Sequence, residues 1–418
     1  MLVVLGFVGF VLALLISVTL HEAGHFLTAR RYGAKATQFF VGFGPTLWSR
    51  QTGETEWGVK AIPAGGFVRI VGMTRLEEID PADEDRALYN RPARQRAVVL
   101  AAGSTVHFII AIVLVLLSAL AIGKAVELPP AINLLSECVP ASLDSTCDDS
   151  GAVPAPAQAA GLQAGDVVVA VDGAPVEDSL AFLLAVRDKP GQPVELTVER
   201  DGARRDLTLT PTPVTRPSLL PLTEDGQPIL DDDGQRIYPP ETVGAIGVGI
   251  KFRQGTERLG PVEAVGYSVT MMGDILTGIV TTFTEKLGTI TQVYTDKRDP
   301  QGFIGIVGAG RISGEVLASE ETFAFKMLGF FGLIAGLNFF VGVFNLLPLL
   351  PLDGGHLAVL AFEQARDRIR RLFGHRGPVR PVDLNKLMPL TYAVVVFFAG
   401  FTIWLLGADI VNPIRLNS

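Results

Sequence analysis

The segment His21–His25, HEAGH, places two histidines and a glutamate inside an otherwise apolar run. In a helix, positions i and i+4 share one face, so His21 and His25 can offer their imidazoles to a single metal ion. Glu22 lies about 100° around the helix axis, next to the same site. This is the HExxH arrangement, in which two histidines bind zinc and the glutamate acts as general base. A polar contact between helices is the alternative interpretation.

A catalytic zinc normally takes three protein ligands and keeps one position open for water. Asp353, in the segment LPLDGGH, is the first acidic residue after a long uncharged run. If its helix crosses the membrane in the same direction as the helix of His25, both residues lie toward the cytoplasmic ends. Asp353 is therefore predicted as the third ligand of one Zn²⁺ per chain. The alternative is an interfacial cap before Gly354.

The elements that position these residues are predicted to be membrane helices, since 48% of the chain is hydrophobic. The stretch 261–288 is also apolar, but it contains Glu263 and Asp274 and is predicted to lie at the membrane interface instead of crossing. The first apolar run lacks the basic start of a signal peptide, so we expect it to be retained. The uncharged runs long enough to span a bilayer are Leu2–Leu20, Ala97–Gly123, Met327–Leu352 and Met388–Ala408.

The orientation follows from the basic residues. Segments 30–96 and 366–386 are rich in Lys and Arg, so the positive-inside rule places both in the cytoplasm and 124–326 outside. The net charge of −8 reflects acidic residues in that outer segment, and no nucleic-acid partner is expected. Cys138 and Cys147 both fall in the outer segment, where disulfides persist, so a bridge between them is predicted. Two free thiols are the alternative.

Two further regions have a recognisable pattern. Residues 39–70 are rich in glycine and β-forming residues and are predicted as strands of a hairpin that dips into the membrane face. A solvated hairpin is the alternative. Residues 131–213 resemble a PDZ domain, chiefly in the stretch AGL-x-x-GD-x-V from Ala160 to Val167. Such a domain either takes peptide C-termini by strand addition or only blocks access to the membrane. Residues 214–259 complete this domain or form a linker.

The remaining polar residues of the apolar runs have weaker signals. Asn345 precedes prolines that interrupt helical hydrogen bonding, and irregular backbone at membrane depth is tolerated where it lines a cavity. Asn345 could therefore donate to a substrate carbonyl, or equally to another helix. His107 and His356 have no partner at ligand spacing, so we expect structural or interfacial roles for them.

Together, HEAGH, LDGG and the outer PDZ-like domain resemble the site-2 protease family of intramembrane zinc metalloproteases. Within that family the chain resembles the bacterial sigma-regulator branch, with one PDZ domain as in actinobacterial members. The resemblance implies that the residues of GFG bind substrate as part of a membrane-associated hairpin, and that Asn345 and Pro348 do so too. The implied site residues are the ligands His21, His25 and Asp353, the base Glu22, and the substrate-binding residues Asn345, Pro348, Gly42, Phe43 and Gly44.

The resemblance also implies substrates and a cellular location. The substrates would be single-span membrane proteins already trimmed on the outer side, such as anti-sigma factors, or remnant signal peptides, cleaved in regulated intramembrane proteolysis. The location would be the bacterial cell membrane, with the N-terminus and the PDZ domain outside and the active site toward the cytoplasm. The rival from another class is a non-enzymatic membrane scaffold whose PDZ domain binds partners.

The predicted fold is a polytopic α-helical membrane protein with four transmembrane helices, a membrane-associated β hairpin and an extracytoplasmic α+β PDZ domain. The predicted divisions, in chain order, are transmembrane helix 1 (1–32), the hairpin region (33–96), transmembrane helix 2 (97–123), the PDZ domain with its extension (124–259), an interfacial helix with a connecting loop (260–324), transmembrane helix 3 (325–354), a basic loop (355–387) and transmembrane helix 4 (388–410).

Overall fold

The computed structural model describes residues 1–140, 146–148, 153–220, 222–224, 227–228, 237–374 and 381–415. The chain divides into two compact units, which are Met1–Lys124 with Arg258–Ser418, and Ala125–Glu257. The second unit covers nearly the same residues as the predicted outer domain. Arg376 and Arg380 of the predicted basic loop lie outside the described residues.

The described residues form both helices and strands. The helices are α1 (Leu2–Arg31), α2 (Ala93–Ala121), α3 (Pro156–Ala159), α4 (Ser179–Arg187), α5 (Pro261–Glu285), α6 (Ile306–Ala318), α7 (Phe323–Asn345), α8 (Asp353–Leu372) and α9 (Met388–Val411). The strands are β1 (Ala36–Thr52), β2 (Thr55–Ile70), β3 (Lys124–Leu135), β4 (Cys138–Val139), β5 (Val153–Pro154), β6 (Val167–Val171), β7 (Ala174–Pro175), β8 (Val194–Arg200), β9 (Ala203–Leu209), β10 (Thr212–Pro217), β11 (Thr223–Glu224), β12 (Gln227–Pro228), β13 (Pro240–Ala245) and β14 (Val248–Glu257).

Several helices of the first unit are long and apolar enough to cross a membrane, as expected for a polytopic membrane protein. Among the described residues these are α1, α2, α5, α7 and the stretch Leu384–Val411 that ends in α9. Helix α5 is the least apolar of them, with a mean hydropathy of 1.2. Its Met272 packs with Ala111 and Val115 of α2 and with Ala335 of α7. The count of four spans, with α5 at the interface, stays a prediction.

The third predicted membrane segment is divided in the structure. Helix α7 ends at Asn345 and α8 begins at Asp353, whereas the sequence suggested one segment over 325–354. Pro348 and Pro351 explain the break, since proline has no backbone N–H for a helical hydrogen bond and its ring clashes with the preceding turn. Asp353 therefore lies at the start of a helix, not at the end of one.

Helix α6 occupies part of the predicted connecting loop and packs closely on α1. A Cβ atom on Gly314 would lie 2.4 Å from the carbonyl oxygen of Val3, and one on Gly6 would lie 2.7 Å from Cα of Gly314. Neither glycine can therefore carry a side chain at this contact. The close approach of the two backbones fixes the N-terminal half of α1, the helix that carries HEAGH.

The hairpin of β1 and β2 is antiparallel, with several register shifts along its length. The hairpin packs on α1, where the ring centroids of Phe39 and Trp57 lie 5.6 Å and 4.9 Å from that of Phe26. Trp48, which pairs with Val59 of β2, keeps 58% of its surface exposed. The hairpin is thus held against the helix of the two histidines, while its insertion into the membrane face stays a prediction.

The second unit is an α+β domain built on a sheet in the order β14-β3-β6-β8-β9, with β7 paired to β6. Strand β14 comes from the predicted extension, so the extension completes the sheet. Phe182 of α4 packs with Val168 and Leu196 in the core of this unit. Cys138 and Cys147 are joined by a disulfide bond, with their Cα atoms 5.7 Å apart. The PDZ assignment of this unit stays a prediction.

Candidate metal centre

Helix α1 presents two histidine side chains to the interior of the first unit. His21 and His25 are only 7% and 3% exposed, and their Nε2 atoms lie 3.1 Å apart. This proximity follows from the i, i+4 spacing, which puts both imidazoles on one face of the helix. Two neutral imidazoles at this separation offer two converging lone pairs.

Asp353 supplies an oxygen to the same point. Its Oδ2 atom lies 3.4 Å from Nε2 of His21 and 3.3 Å from Nε2 of His25. This oxygen is buried and has no hydrogen-bond partner among the described residues. A buried carboxylate oxygen without a partner carries a large desolvation cost, which a bound cation would offset.

The three donor atoms have the spacing that zinc requires. A tetrahedral site with bonds of about 2.0–2.1 Å separates its ligand atoms by about 3.3–3.4 Å, close to the three distances between these donor atoms. Within the described parts of the chain, His21, His25 and Asp353 are the one group of His, Cys, Asp or Glu residues able to hold a metal ion. Three protein ligands leave a fourth position for water, as in catalytic zinc sites.

The backbone of α2 orients one of these ligands. Nδ1 of His25 lies 2.7 Å from the carbonyl oxygen of Val99. A carbonyl can only accept, so Nδ1 carries the proton and donates it, which leaves the lone pair of Nε2 available to a metal ion. Such outer hydrogen bonds fix the tautomer and the ring direction of metal-binding histidines.

Gly103 of α2 lies directly against both imidazoles. A Cβ atom at this position would be 2.4 Å from Cε1 of His21 and 2.4 Å from Nε2 of His25. These distances are far shorter than any real Cβ contact, so a side chain at this position would displace both rings. Val99, Gly103 and His107 are spaced i, i+4 and i+8, which places them on the same face of α2.

Gly103→Ala is therefore expected to weaken zinc binding. The methyl group would push the imidazoles out of their converging positions, and we expect zinc affinity to fall at least about tenfold, as when an outer-shell partner of a metal site is lost. Equilibrium titration with a competing chelator measures this. The matched control is Gly336→Ala in α7, where a Cβ atom would meet nothing within 4 Å. Equal zinc affinities for the two variants would contradict the prediction.

Two glycines place Asp353 at the start of α8. A Cβ atom on Gly354 would lie 2.2 Å from the carbonyl carbon of Leu346, and one on Gly355 would lie 2.5 Å from the backbone nitrogen of Leu350. The first turn of α8 is therefore packed on the backbone that links it to α7. This contact explains why the segment LDGG needs both glycines next to the aspartate.

Glu22 connects the histidine helix to the hairpin. Its Oε2 atom accepts a hydrogen bond of 3.0 Å from the backbone N–H of Val68 in β2. Glu22 is only half-buried, and its second carboxylate oxygen, Oε1, is not needed for that bond. The side chain is thus held in one orientation with an oxygen left to take a proton.

The residues predicted to bind substrate lie in two different places. Gly42 and Gly44 adopt left-handed conformations in β1, with φ of +89° and +83°, and Phe43 between them is 44% exposed. Asn345 is the half-buried last residue of α7, and Pro348 is exposed in the link to α8. Their roles in substrate binding stay predictions.

His107 lies closer to the metal centre than the sequence suggested. It is 1% exposed, and its ring centroid is 4.9 Å from that of His21. Its Nδ1 atom lies 2.9 Å from Oδ1 of Asn338, whose amide nitrogen donates to the carbonyl oxygen of Ile334. This pair joins α2 to α7 beside the ligands. The sequence does place His107 four residues after Gly103, on the same helical face. That spacing indicates a position near the metal centre only once Gly103 is known to lie against the two imidazoles.

Comparisons with known proteins agree with this geometry. A model for Peptidase family M50 matches residues 9–377. The chain is 41% identical over 422 residues to the zinc metalloprotease Rip1 of Mycobacterium tuberculosis (strain ATCC 35801 / TMC 107 / Erdman), covering 100% of both chains. It is 37% identical to Rip1 of Mycolicibacterium smegmatis, covering 99% of this chain and 98% of the relative. It is 27% identical to the regulator of sigma-E protease RseP of Salmonella typhimurium, covering 85% of this chain and 90% of the relative.

Proposed function

Because the chain belongs to peptidase family M50, the site-2 proteases, we propose that its zinc metalloprotease activity hydrolyses peptide bonds in or near the membrane segments of single-span proteins. The observation that carries this proposal is the convergence of His21 and His25, on a helix apolar enough to cross a bilayer, with Asp353, which follows a second such helix, α7. Ionisable residues at membrane depth are costly and usually mark a functional site.

The residue roles in the proposed reaction follow from the contacts. His21 and His25, with Asp353, would hold the zinc ion, which when bound supplies the Lewis acidity for peptide hydrolysis. Glu22 would take the proton of the attacking water on its free carboxylate oxygen. It would then return that proton to the nitrogen of the leaving amine. The hydrogen bond from Val68 keeps this carboxylate in place during both transfers.

The hairpin is the proposed site of substrate binding. A helical substrate is a poor target, because its carbonyl groups are already hydrogen-bonded within the helix. Pairing of an unwound substrate with an edge of the hairpin would replace the lost backbone bonds. Since Val68 of the same hairpin also donates to Glu22, substrate binding and the catalytic base would share one element.

The proposed orientation places the metal centre toward the cytoplasm. Arg30 and Arg31 end α1 just after HEAGH, and Arg370 and Arg371 lie in the last turn of α8. The positive-inside rule assigns such segments to the cytoplasm and the second unit to the outer side. The substrates would then be proteins already trimmed outside, such as anti-sigma factors or remnant signal peptides.

A comparison of membrane proteomes tests the proposed function. Cells with wild-type protein and cells with the Glu22→Gln variant would be compared for fragments with one membrane span. We expect such fragments to accumulate with the variant. Identical fragment profiles would argue for the rival function, a membrane scaffold.

Gly42→Ala is expected to reduce cleavage without loss of zinc. A Cβ atom at this position would lie 2.8 Å from the carbonyl oxygen of Ile62 and would distort the pairing of β1 with β2. Misplacement of a bound substrate by about 1 Å costs up to about a hundredfold in rate, so kcat/KM should fall by roughly tenfold to a hundredfold. Gly53→Ala is the control, since Gly53 also has a positive φ of +61° but no atom near its Cβ position. Unchanged kcat/KM for Gly42→Ala would exclude the hairpin from substrate binding.

The second unit is proposed to exclude substrates that have not been trimmed. Replacement of residues 131–259 by a short flexible linker should allow cleavage of substrates that still carry an outer domain. The measurement is cleavage of one substrate with and without its outer domain, by the full chain and by the deletion variant. If the deletion variant discriminates between the two substrates as the full chain does, the second unit does not exclude untrimmed substrates. If the deletion variant no longer binds peptide C-termini that the full chain binds, the second unit has a role in peptide binding.

A further inference from the structure

Helix α8 has an apolar surface on the side away from its packed face. Leu360 and Glu363 are 4% and 6% exposed, and Glu363 accepts a hydrogen bond from the backbone N–H of Val382. On the other side, four large apolar residues form what we call the α8 stripe: Phe362, Ile369, Leu372 and the adjoining Phe373, which are 57%, 54%, 80% and 79% exposed. At about 100° per residue these positions share one side of the helix.

Arginines border the α8 stripe along its length. On the same helical geometry, Arg366 and Arg370 lie along one edge and Arg368 along the other. The guanidinium carbon of Arg366 lies 5.5 Å from the ring centroid of Phe362, so this arginine extends over the stripe. Arg371 is ion-paired with Asp367 at 2.8 Å and faces the polar side. An apolar stripe between arginines is the pattern of a helix that lies in the surface of a membrane.

The position of α8 in the chain puts it at such a surface. It follows α7 and precedes α9, both of which are long and apolar enough to cross a membrane. Helix α8 itself is too rich in charge to be one of the candidate spans. If α7 and α9 both cross the membrane, the chain between them stays on one side of the bilayer, and α8 begins shortly after α7 ends, so its stripe can reach lipid.

We propose that α8 lies in the membrane interface and binds anionic phospholipids, with the α8 stripe among the upper acyl chains and Arg366, Arg368 and Arg370 on lipid phosphates. Charge complementarity selects this occupant, since the arginines that border the stripe suit anionic headgroups. Asp353 is the first residue of α8, and its neighbours Gly354 and Gly355 are packed on the preceding backbone. Lipid that fixes the tilt of α8 therefore also fixes the third ligand of the metal centre.

Spin labels on the full-length protein test the docking directly, without any activity readout. The two native cysteines are joined in a disulfide, so a thiol label will attach at an introduced cysteine. Ile369→Cys places the label on the α8 stripe, and Gln364→Cys places a matched label on an exposed position of the opposite side. In nanodiscs that contain phosphatidylglycerol, the label at 369 should be accessible to oxygen and shielded from a water-soluble nickel chelate. The label at 364 should show the reverse.

Equal access of the nickel chelate to both labels would overturn the proposal. So would a label at 369 that is shielded only after an acidic cytosolic protein is added, because the stripe would then be a protein-docking surface.

The lipid preference is tested with paired arginine variants. Arg368→Gln with Arg370→Gln should lower the amount of phosphatidylglycerol retained on the purified protein by about fivefold per arginine, equivalent to about 1 kcal/mol each. The control is Arg204→Gln with Arg205→Gln, two exposed arginines on β9 of the second unit. Equal retention by the two pairs would contradict anionic-lipid binding by α8.

The expected effect of anionic lipid on cleavage and zinc affinity rests on the proposed function, and it is measured separately from the docking of α8. Cleavage and zinc affinity should both be higher in discs with phosphatidylglycerol than in discs of phosphatidylcholine alone, and the arginine pair on α8 should remove the difference. If cleavage is equal in both lipids, the link from α8 to Asp353 is wrong while the proposed protease function stands. If no cleavage occurs in either lipid although zinc is bound, the proposed protease function is wrong. The accessibility of the spin labels then still shows whether α8 docks on the membrane.

Discussion

Glu22→Gln is expected to abolish peptide cleavage and to leave zinc bound. Glutamine keeps the size of the side chain and an oxygen that can accept the hydrogen bond from Val68, but it cannot take a proton from water. General-base catalysis contributes about 10²–10⁴-fold, so the rate should fall by at least that range. The measurement is cleavage of a single-span substrate by purified protein, with zinc content determined on the same sample.

The control for this variant is Glu285→Gln, the same chemical change at the exposed C-terminal residue of α5. It should cleave at the wild-type rate. Cleavage by Glu22→Gln at that rate would exclude Glu22 as the base. Loss of zinc from Glu22→Gln would show instead that the side chain is needed to build the metal site.

Asp353→Asn is expected to remove most of the bound zinc. The buried Oδ2 atom lies 3.4 Å and 3.3 Å from the two histidine nitrogens and has no hydrogen-bond partner among the described residues, which suits a carboxylate that binds a metal ion. An amide oxygen is neutral and binds zinc poorly. Loss of an outer-shell partner already costs up to about a hundredfold in metal affinity, so loss of a direct ligand should cost more. Zinc content after dialysis against a chelator measures this.

Asp274→Asn is the matched control, since Asp274 is exposed on α5. It should keep a full complement of zinc. Retention of zinc by Asp353→Asn at the control level would remove Asp353 from the ligand set, whatever its effect on cleavage.

The sequence predicted those parts of the molecule whose signals are local. HEAGH predicts two metal ligands because helical spacing alone puts His21 and His25 on one face. The apolar runs predicted the helices α1, α2, α7 and α9, since composition decides which segments are stable in lipid. Glycine turns and β-forming residues predicted the hairpin. Asp353 needed one further step, because its approach to HEAGH depends on how the helices cross the membrane.

The rest depends on contacts between residues far apart in the chain, for which one sequence holds no local signal. Helix α6 was not predicted because its glycines, such as Gly314, disfavour a helix on their own and are needed only for the close contact with the backbone of α1. The pairing of His107 with Asn338 was missed because each residue alone suits a structural role. The buried ion pair of Arg298 with Asp409, at 2.8 Å, was missed for the same reason.

The most direct test of the metal centre is zinc K-edge X-ray absorption of the purified full-length wild-type protein. We predict one zinc ion per chain, bound by two imidazole nitrogens with the remaining ligands oxygen, at bond lengths of about 2.0–2.1 Å. The spectrum of the Asp353→Asn variant should no longer show zinc with these ligands. A wild-type protein without zinc, or a site with a single imidazole, would contradict a centre formed by His21, His25 and Asp353.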